Sequence, residues 1–405
     1  MPSLPPEGEP APADGALPAS ALDALGTRAF GIYVHVPYCS TRCGYCDFNT
    51  YTADELGPGA SRSTYADQAV AEVRLARRVL GDLDLPVSTV FLGGGTPTLL
   101  PPGDLRRILD AVRDELGLVD GAEVTTEANP DSVTAESLAA LREAGFTRMS
   151  FGLQSTAPHV LAVLDRTHTP GRAVEAVAQA RAAGFEHVNV DLIYATPGET
   201  EADFAASLEA ATGSGADHVS AYSLIVEDGT RLAARIRRGE LPDVDDDVAA
   251  DRYLQAEQAL GAAGMPWYEV SNWARPGASA GTTSATGAAT TGGGSGPART
   301  RTSAGCGGGT CATPRRTPTA SPRVPARRRR REVLSADDRR VEDVLLRVRL
   351  REGLPLATLA DAGRAVAARA VDDGLVEPAA YAEGLLVLTL RGRLLADALV
   401  RDLVD

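Results

Sequence analysis

The sequence predicts an α/β protein, a partial barrel of the (β/α)6 type followed by a small C-terminal α+β domain with a winged-helix-like pattern. Six short apolar runs alternate with longer stretches of helical periodicity, and parallel neighbouring strands need connections of that length. A chain of 405 residues also favours one large domain plus a smaller one. The last part of the chain, in which helical segments flank a short hairpin, supplies the second domain.

The six apolar runs predict parallel strands in chain order. They read GIYVHV, STVFLGGG, AEVTTEANP, TRMSFGLQ, HVNVDLIYATPGE and HVSAYSLIVEDGT, and the helical patterns that follow them lie at about 65–80, from 103, at 135–144, 173–183 and 201–212, and up to about 260. The reactive residues of a β/α barrel lie at the carboxyl ends of its strands. The conspicuous polar residues and cysteines of this region fall at those positions, so we expect the functional site there.

Composition divides the chain into four parts. Residues 1–28 are Pro/Ala-rich and predict a disordered tail, 29–276 form the barrel, 277–331 are of low complexity, and 332–405 form the C-terminal domain. In the last part Ser335 is a candidate helix N-cap, and 375–376 against 386–390 predict the hairpin. A winged helix alone suggests DNA binding, but this acidic stretch lacks a basic recognition helix, so we interpret it as a cap over the barrel mouth.

Charge and hydropathy exclude several classes of function. The chain has 40 basic and 54 acidic residues, a net charge of -14, which argues against broad binding of nucleic acid. No run of about 18 apolar residues predicts a transmembrane helix, and the N-terminus lacks a signal-peptide pattern. We therefore expect a cytoplasmic protein, in which clustered cysteines indicate metal or redox chemistry rather than disulfides.

Cys39, Cys43 and Cys46 lie within eight residues, directly after the first predicted strand. Structural zinc takes four ligands, and His35 alternates to the other face of its strand from Val34 and Val36. A redox dithiol needs only the last two cysteines. A [4Fe–4S] cluster held by three thiolates leaves one iron open for an external ligand, so it explains directly why the loop has three cysteines and no fourth.

The C-x3-C-x2-C spacing with Tyr45 before the third cysteine resembles the radical S-adenosylmethionine (SAM) family. In that family the open iron is chelated by the methionine amino and carboxylate groups of SAM, and electron transfer releases a 5′-deoxyadenosyl radical. The runs YVHVPYC, FLGGGTPT, EANP, SFGLQS, DLIYATPGE and YEVSNWARPG narrow the resemblance to the branch similar to oxygen-independent coproporphyrinogen III oxidase. The resemblance covers about 30–277 and 332–405.

The resemblance also implies roles for single residues. The three cysteines are the implied cluster ligands, and no side chain is assigned a catalytic role. The implied SAM-binding residues are Tyr33, Tyr45, Gly94, Gly95, Thr96, Glu127, Gln154, Arg166 and Asp191. By that likeness the glycines and Thr96 offer backbone groups to the methionine ammonium and carboxylate, Arg166 pairs with a carboxylate, and Asp191 accepts from the ribose hydroxyls. Simpler alternatives remain open: glycines after a strand often form a turn, and acidic residues there often cap the next helix.

Phe48 separates two groups within the branch. Members resembling the oxidase carry a further cysteine two positions after the third, where this chain has Phe48, a pattern similar to the HemW group of haem chaperones. The resemblance therefore implies a protein that binds haem and delivers it to haem proteins, with an electron donor for the cluster. The alternative is a coproporphyrinogen III oxidase of porphyrin biosynthesis, which Phe48 disfavours.

The segment 277–323 departs from the branch. It contains only Gly, Ala, Ser, Thr, Pro, Arg and Cys, a composition that predicts disorder. The branch normally has an HNxxYW run here, whose histidine is the implied haem ligand. A shifted reading frame permits that run across Gly281–Gly287, so either a real linker or about fifty out-of-frame residues accounts for the composition. In the second case Cys306 and Cys311 have no function.

Overall fold

The computed structural model of the protein describes residues 29–52, 62–282 and 330–404, with shorter stretches at 9–10, 12, 15–18, 22, 25, 291–295 and 306–308. A nine-stranded sheet runs through its centre. In chain order the strands are β1 (Phe30–Val36), β2 (Val87–Gly94), β3 (Leu118–Ala128), β4 (Arg148–Gln154), β5 (His187–Tyr194), β6 (His218–Ser223), β7 (Trp267–Glu269), β8 (Asn272–Ala274) and β9 (Thr291–Ser295). The spatial order is β9-β1-β2-β3-β4-β5-β6-β8-β7.

The pairing confirms the predicted parallel sheet. Neighbours from β9 through β6 are parallel, whereas β8 pairs antiparallel with both β6 and β7. Because β9 and β7 are the two edges, the sheet is a partial barrel rather than a closed one. All six predicted strands are present, and β9 is an addition that the composition of its segment did not indicate.

Helices cover the outer face of the sheet. They are α1 (Arg62–Leu80), α2 (Pro102–Leu116), α3 (Ala135–Ala144), α4 (Pro158–Val163), α5 (Arg172–Ala182), α6 (Glu201–Gly213), α7 (Arg231–Arg237) and α8 (Asp246–Ala262). Local signals define their ends: Thr134 and Thr200 form capping boxes at the starts of α3 and α6. Since helices cover one face and the barrel interior the other, β4 is buried at every position.

The C-terminal region, residues 336–404, contains five helices: α9 (Ala336–Arg347), α10 (Asp361–Asp372), α11 (Pro378–Ala382), α12 (Leu390–Leu394) and α13 (Ala396–Val404). Ser335 caps α9 through a capping box with Asp338, as predicted. The predicted hairpin of 375–376 against 386–390 is present as one antiparallel bridge, between Val376 and Leu388. The Thr389 N–H also donates to the Leu375 carbonyl at 3.0 Å. The pairing of Leu354–Pro355 with Leu385–Leu386 is an addition that was not predicted.

Arg393 joins the C-terminal region to the barrel. Its guanidinium Nη1 donates to Glu257 Oε2 at 2.8 Å and to Tyr253 Oη at 3.2 Å, and its Cζ lies 4.3 Å from the ring centroid of Trp267. Trp273 Nε1 donates to the same Glu257 oxygen at 2.8 Å. The Arg393 side chain is only 4% exposed, so this contact is a buried ion pair stacked on an aromatic ring.

A second buried ion pair anchors the chain after β8. The Nε of Arg148, which is 2% exposed, donates to Glu123 Oε2 at 2.9 Å, and its Nη2 donates to the carbonyl of Ala278 at 3.0 Å. The Glu123 carboxylate also accepts from the backbone N–H groups of Gly281 and Thr282 at 3.0 and 3.2 Å. The start of the low-complexity segment is therefore fixed inside the barrel.

Beyond Thr282, most of 277–331 lies outside the described residues, including Cys311, and so does most of the N-terminal tail. The exceptions are β9 and a three-stranded sheet of Glu9–Pro10, Arg330–Val333 and Cys306–Gly308. Among the described helices, none combines the length and apolar character needed to cross a bilayer.

Candidate functional site at the carboxyl ends of the strands

The cysteine loop, residues 39–48, follows β1 at its carboxyl end. All three thiols are free and half-buried, and Cys46 Sγ lies 3.8 Å from Thr50 Oγ1. Burial raises the pKa of the Cys39 thiol to about 11; Thr50 opposes this by hydrogen bonding, while the Cys46 and Cys43 thiols add to it. Within 29–52, 62–282 and 330–404, no three His, Cys, Asp or Glu side chains are arranged closely enough to hold a single metal ion.

His35 uses both ring nitrogens within the protein. Nε2 lies 3.0 Å from the Asn49 carbonyl, which can only accept, so Nε2 carries the proton and Nδ1 accepts from the Tyr33 hydroxyl at 2.9 Å. The ring also occupies the space beside Gly94, where a Cβ would lie 2.4 Å from His35 Cε1. This geometry agrees with the prediction that His35 is a packed strand residue and not a ligand.

The glycine turn after β2 approaches the cysteine loop through its backbone. Gly95 N donates to the Val36 carbonyl at 2.8 Å, Thr96 N donates to the Tyr38 carbonyl at 2.7 Å, and Gly94 N donates to Glu127 Oε2 at 2.9 Å. Gly94 has a φ of 111°, which a residue with a Cβ rarely adopts. With these N–H groups engaged, the turn has carbonyl oxygens rather than amide donors for a ligand.

Gln154 and Arg166 meet above Gly152. A Cβ on Gly152 would lie 2.5 Å from Arg166 Nη2 and 2.7 Å from Gln154 Nε2, so only glycine leaves room for both side chains. Arg166 donates from Nη1 to Cys43 Sγ at 3.4 Å and from Nη2 to the Gly152 carbonyl at 3.1 Å. Arg166 Nε and Gln154 Oε1 are buried and have no hydrogen-bond partner among the described residues.

Arg166 therefore contacts a thiol and a carbonyl, and the carboxylate implied for it by the resemblance would have to come from a ligand. Its pKa is set by opposing effects: burial lowers it, but the Cys43 thiol and Tyr45 outweigh burial and raise it overall. Tyr45 packs with Leu164 in a small apolar cluster beside the loop, and burial raises its own pKa. The guanidinium is held charged next to the cysteines.

Asp191 lies inside the barrel at the end of a polar network. Its Oδ2 accepts from Ser150 at 3.0 Å and its Oδ1 accepts from Asn189 Nδ2 at 2.8 Å. Burial raises the pKa of Asp191, although these hydrogen bonds and the charge of Arg166 oppose the shift. The network continues through Asn189 to His218, whose pKa burial lowers to about 3, so this histidine is neutral.

A cavity of about 1720 Å³ fills the barrel interior and opens toward the C-terminal region. Its walls include three of the predicted site residues, Tyr33, Glu127 and Asp191. Side chains from both parts of the chain complete the wall, among them Tyr222, Ile225, Arg349, Arg391 and Leu395. A smaller cavity of about 410 Å³ on the outside of the cysteine loop includes Cys43 and Cys46 in its wall.

Four polar residues of the interior wall were missed at the sequence level: Asn189, His218, Ser220 and Tyr222. Polar residues alternate along β5 at Asn189 and the predicted Asp191, and along β6 at the other three. Polar side chains at every second position of an apolar strand point to one face, so this signal could have identified the interior wall. Gly152 had no comparable signal, because its role depends on Gln154 and Arg166, which only the fold brings over it.

Known proteins clarify the meaning of this arrangement. The family model of the radical SAM superfamily matches residues 33–211. The heme chaperone HemW of Mycobacterium tuberculosis is 50% identical over 388 residues, which cover 95% of this chain and 97% of that protein. The chain belongs to the HemW family.

Other relatives match a shorter part of this chain. HemW of Bacillus subtilis is 34% identical over 246 residues, 60% of this chain and 63% of that protein. The mitochondrial radical S-adenosyl methionine domain-containing protein 1 of Mus musculus is 40% identical over 256 residues, 63% of this chain and 56% of that protein. These lengths are close to that of the predicted barrel, 29–276.

The fold of this HemW family member also resembles a solved structure. Coproporphyrinogen III oxidase (HemN) from Escherichia coli, a radical SAM enzyme, superposes with a TM-score of 0.75 over 94% of this chain and 92% of that chain. Its sequence identity is 21%, so the likeness concerns the fold alone. It includes the partial barrel, and it agrees with the predicted branch.

Proposed function

We propose that the protein is a radical SAM haem chaperone, which binds haem in the cytoplasm and passes it to haem-accepting proteins. The observation that carries the proposal is the 50% identity with HemW of M. tuberculosis along nearly the whole of both chains. Phe48, which is 40% exposed in the cysteine loop, supports the same assignment. Members of the branch that resemble the oxidase carry a cysteine at this position.

Cys39, Cys43 and Cys46 would hold the [4Fe–4S] cluster. Their donor set fits this group, since all three are free thiols in one loop at the carboxyl edge of the sheet. Thiolates are the ligands, so binding must displace three protons, and the raised pKa of Cys39 makes loading dependent on pH. Arg166, charged and 3.4 Å from Cys43 Sγ, would offset part of the negative charge of the site.

SAM would lie between the glycine turn and the interior of the barrel. The unpartnered Gln154 Oε1 and Arg166 Nε support this placement, since buried polar atoms without partners are costly unless a ligand satisfies them. The carbonyls of Gly94 and Gly95 suit the methionine ammonium, and Arg166 suits the carboxylate. Thr96 and Glu127 would fix the turn, while Asp191 and Tyr33 would meet the ribose and the methionine end.

When bound, the reduced cluster and SAM supply one-electron reductive cleavage of the sulfonium. The residues of this chain orient the two groups and exclude water, through the packed Tyr45 on one side and the barrel wall on the other. An electron donor is needed as a partner, and the outer face of the cysteine loop is the side from which electrons could arrive.

The haem ligand is missing from the sequence as it stands. The aligned span with HemW of M. tuberculosis covers 95% of this chain and 97% of that protein, so most of 277–331 falls within the span, and the two chains contribute nearly equal lengths to it. That observation supports the frameshift hypothesis. The frameshift hypothesis requires a CAC triplet across the Gly281–Thr282 junction, because CAC encodes the histidine of the family run. Resequencing the gene checks this requirement. Codons at Gly281 and Thr282 that cannot form CAC would exclude the hypothesis.

Anaerobic reconstitution of the chain as written and of a frame-repaired version tests the function. We expect both to take up iron and sulfide and to change spectroscopically on addition of SAM, and only the repaired version to bind haem. A Cys43→Ser variant, which lacks a ligand, is the control for cluster assembly. Coproporphyrinogen turnover by either version would contradict the chaperone, and tetrahedral zinc in the loop would contradict the cluster.

A further inference from the structure

The cysteine loop is held at its middle residue by two other loops of the barrel. The Gly44 N–H donates to the carbonyl of Leu164 at 3.0 Å, and the Gly44 carbonyl accepts from the N–H of Leu232 at 2.9 Å. Leu164 ends the α4 segment after β4, and Leu232 is in the first turn of α7, after β6. The backbone of Gly44 therefore bridges two elements that are far from it in sequence.

Side chains reinforce this bridge. Arg231 donates from Nη2 to the Arg42 carbonyl at 2.5 Å, and the same nitrogen lies 3.4 Å from Asp165 Oδ2. A Cβ on Gly44 would lie 2.5 Å from that Asp165 oxygen, so the carboxylate packs directly against the glycine. Asp165, Arg231 and Gly44 form a contact that we call the loop clamp.

Asp165 adopts a conformation that costs free energy. Its φ of 53° is in the left-handed region, which aspartate adopts more readily than most residues with a Cβ but still at a cost relative to a right-handed conformation. The turn has two results: it aims the Asp165 carboxylate at Gly44, and it aims the next side chain, Arg166, at Cys43. One strained residue thus directs two groups toward the cysteine loop.

The segment that leads into α7 also contacts both cavities. Tyr222, Ile225 and Val226 line the large cavity, whereas Thr230 and Arg231 line the small cavity together with Cys43 and Cys46. The side chain of Ile225 is exposed in the large cavity wall, with 67% of the residue accessible. A ligand that moves this segment would move Leu232, and with it Gly44.

We propose that Asp165 and Arg231 are positioning residues, which act through Gly44 to fix the cysteine loop before any cluster is assembled. Only the identity of what the loop holds depends on the proposed function, because every contact of the loop clamp is between groups of the protein itself. The clamp limits the access of solvent and reagents to the three thiols. It thereby determines how readily all three bind one incoming group.

Thiol labelling of the metal-free full-length protein under reducing, anaerobic conditions tests the clamp. Alkylation rates at Cys39, Cys43 and Cys46 are read separately by peptide mass spectrometry. We expect Arg231→Ala and Asp165→Asn each to raise the rates about threefold, since an exposed ion pair contributes about 0.2–1 kcal/mol. Arg231→Lys keeps the charge and should restore most of the protection.

Arg237→Ala is the matched control, because Arg237 is on the same helix but pairs with the exposed Asp228 at 3.5 Å, away from the cysteine loop. It should leave all three rates unchanged. The clamp is wrong if Arg231→Ala and Asp165→Asn label no faster than Arg237→Ala, with circular dichroism confirming that all three variants are folded.

Gly44→Ala gives an independent test. The new Cβ displaces the Asp165 carboxylate, and we expect labelling about tenfold faster than in the unmodified chain. In an Asp165→Gly background the Cβ has room and φ is no longer strained, so Gly44→Ala should add less than twofold. Additive effects of the two changes would overturn the proposal.

The reconstituted protein separates this proposal from the proposed function. If the clamp proposal is correct, the cluster of Arg231→Ala has an altered electron paramagnetic resonance signature, and Arg231→Lys restores the original signature. If no variant assembles a cluster but labelling follows the pattern above, the clamp stands and the proposed function fails. If clusters assemble normally and labelling does not respond, the clamp fails alone.

Discussion

The cysteine loop and the C-terminal region are both attached to the partial barrel, but through different kinds of contact. The C-terminal region is joined by Arg393, a buried guanidinium with an ion pair, a hydroxyl partner and an aromatic ring. The loop is joined by two backbone hydrogen bonds at Gly44 and by Arg231, whose side chain is 62% exposed. The first attachment is buried and charge-assisted, while the second is partly exposed, so the loop has more stability to gain from the group it binds.

The largest effect should come from breaking the attachment of the C-terminal region. Arg393→Ala removes a guanidinium that is 4% exposed from its ion pair with Glu257, which is 25% exposed and keeps its hydrogen bond from Trp273. Removing one member of a fully buried pair costs about 3–5 kcal/mol, so we expect a loss near the lower end, about 3 kcal/mol. Chemical denaturation measures the loss. Arg391→Ala is the control, since exposed Arg391 donates only to the Asp373 carbonyl, and it should change stability by less than about 1 kcal/mol. Equal losses of stability in Arg393→Ala and Arg391→Ala would show that the buried Arg393 contact does not attach the C-terminal region more strongly than an exposed one.

On the loop side, Gly152→Ala should disturb the site more than the fold. The added methyl displaces Arg166 and Gln154, at a cost of about 1–3 kcal/mol for overpacking. We expect SAM affinity of the reconstituted protein to fall at least tenfold, measured by titration of the cluster spectrum. Gly103→Ala, at a glycine with open space around its Cβ, is the control. Unchanged SAM affinity in Gly152→Ala would show that Arg166 and Gln154 do not bind SAM.

Acid should weaken the C-terminal attachment selectively. Burial raises the pKa of Glu257, but hydrogen bonds from Arg393 and Trp273 outweigh it and hold the pKa below the ordinary 4.5. A depressed carboxyl pKa stabilises the fold above its unfolded value, and this stability is lost as pH falls through the folded value. Denaturation measured between about pH 5 and pH 3 should show a loss of stability, as the pH falls, that Glu257→Gln lacks. A parallel decline in the variant would assign the loss to other groups.

The smallest effect is expected at Phe48, which is exposed on the cysteine loop. Phe48→Cys should change the free energy of unfolding by less than about 0.5 kcal/mol, as surface substitutions usually do. We also expect no coproporphyrinogen turnover after reconstitution, because one added thiol leaves the cavity wall unchanged. Turnover by Phe48→Cys, with Phe48→Ser as its control, would show that this position alone divides the two activities.

The sequence predicted whatever depends on local pattern. The strands follow from apolar runs, the cysteine loop from spacing, and the Ser335 cap from a capping box, all of which are set within a few residues. The contacts of Gly44 with Leu164 and Leu232, and the meeting of side chains over Gly152, depend on which loops the sheet brings together. The pairing of Leu354–Pro355 with Leu385–Leu386 was missed for the same reason, because pairing between distant segments has no local signal.

The large cavity has one wall from the strands and one from the C-terminal region, where Arg391 and Leu395 complete it. An occupant that contacts both walls is thermodynamically linked to their association: at 100 times its dissociation constant it would hold them together with about 2.7 kcal/mol. By the same linkage, whatever loosens Arg393 from Glu257 lowers the affinity for that occupant. Occupancy of the cavity and association of its two walls therefore stabilise each other.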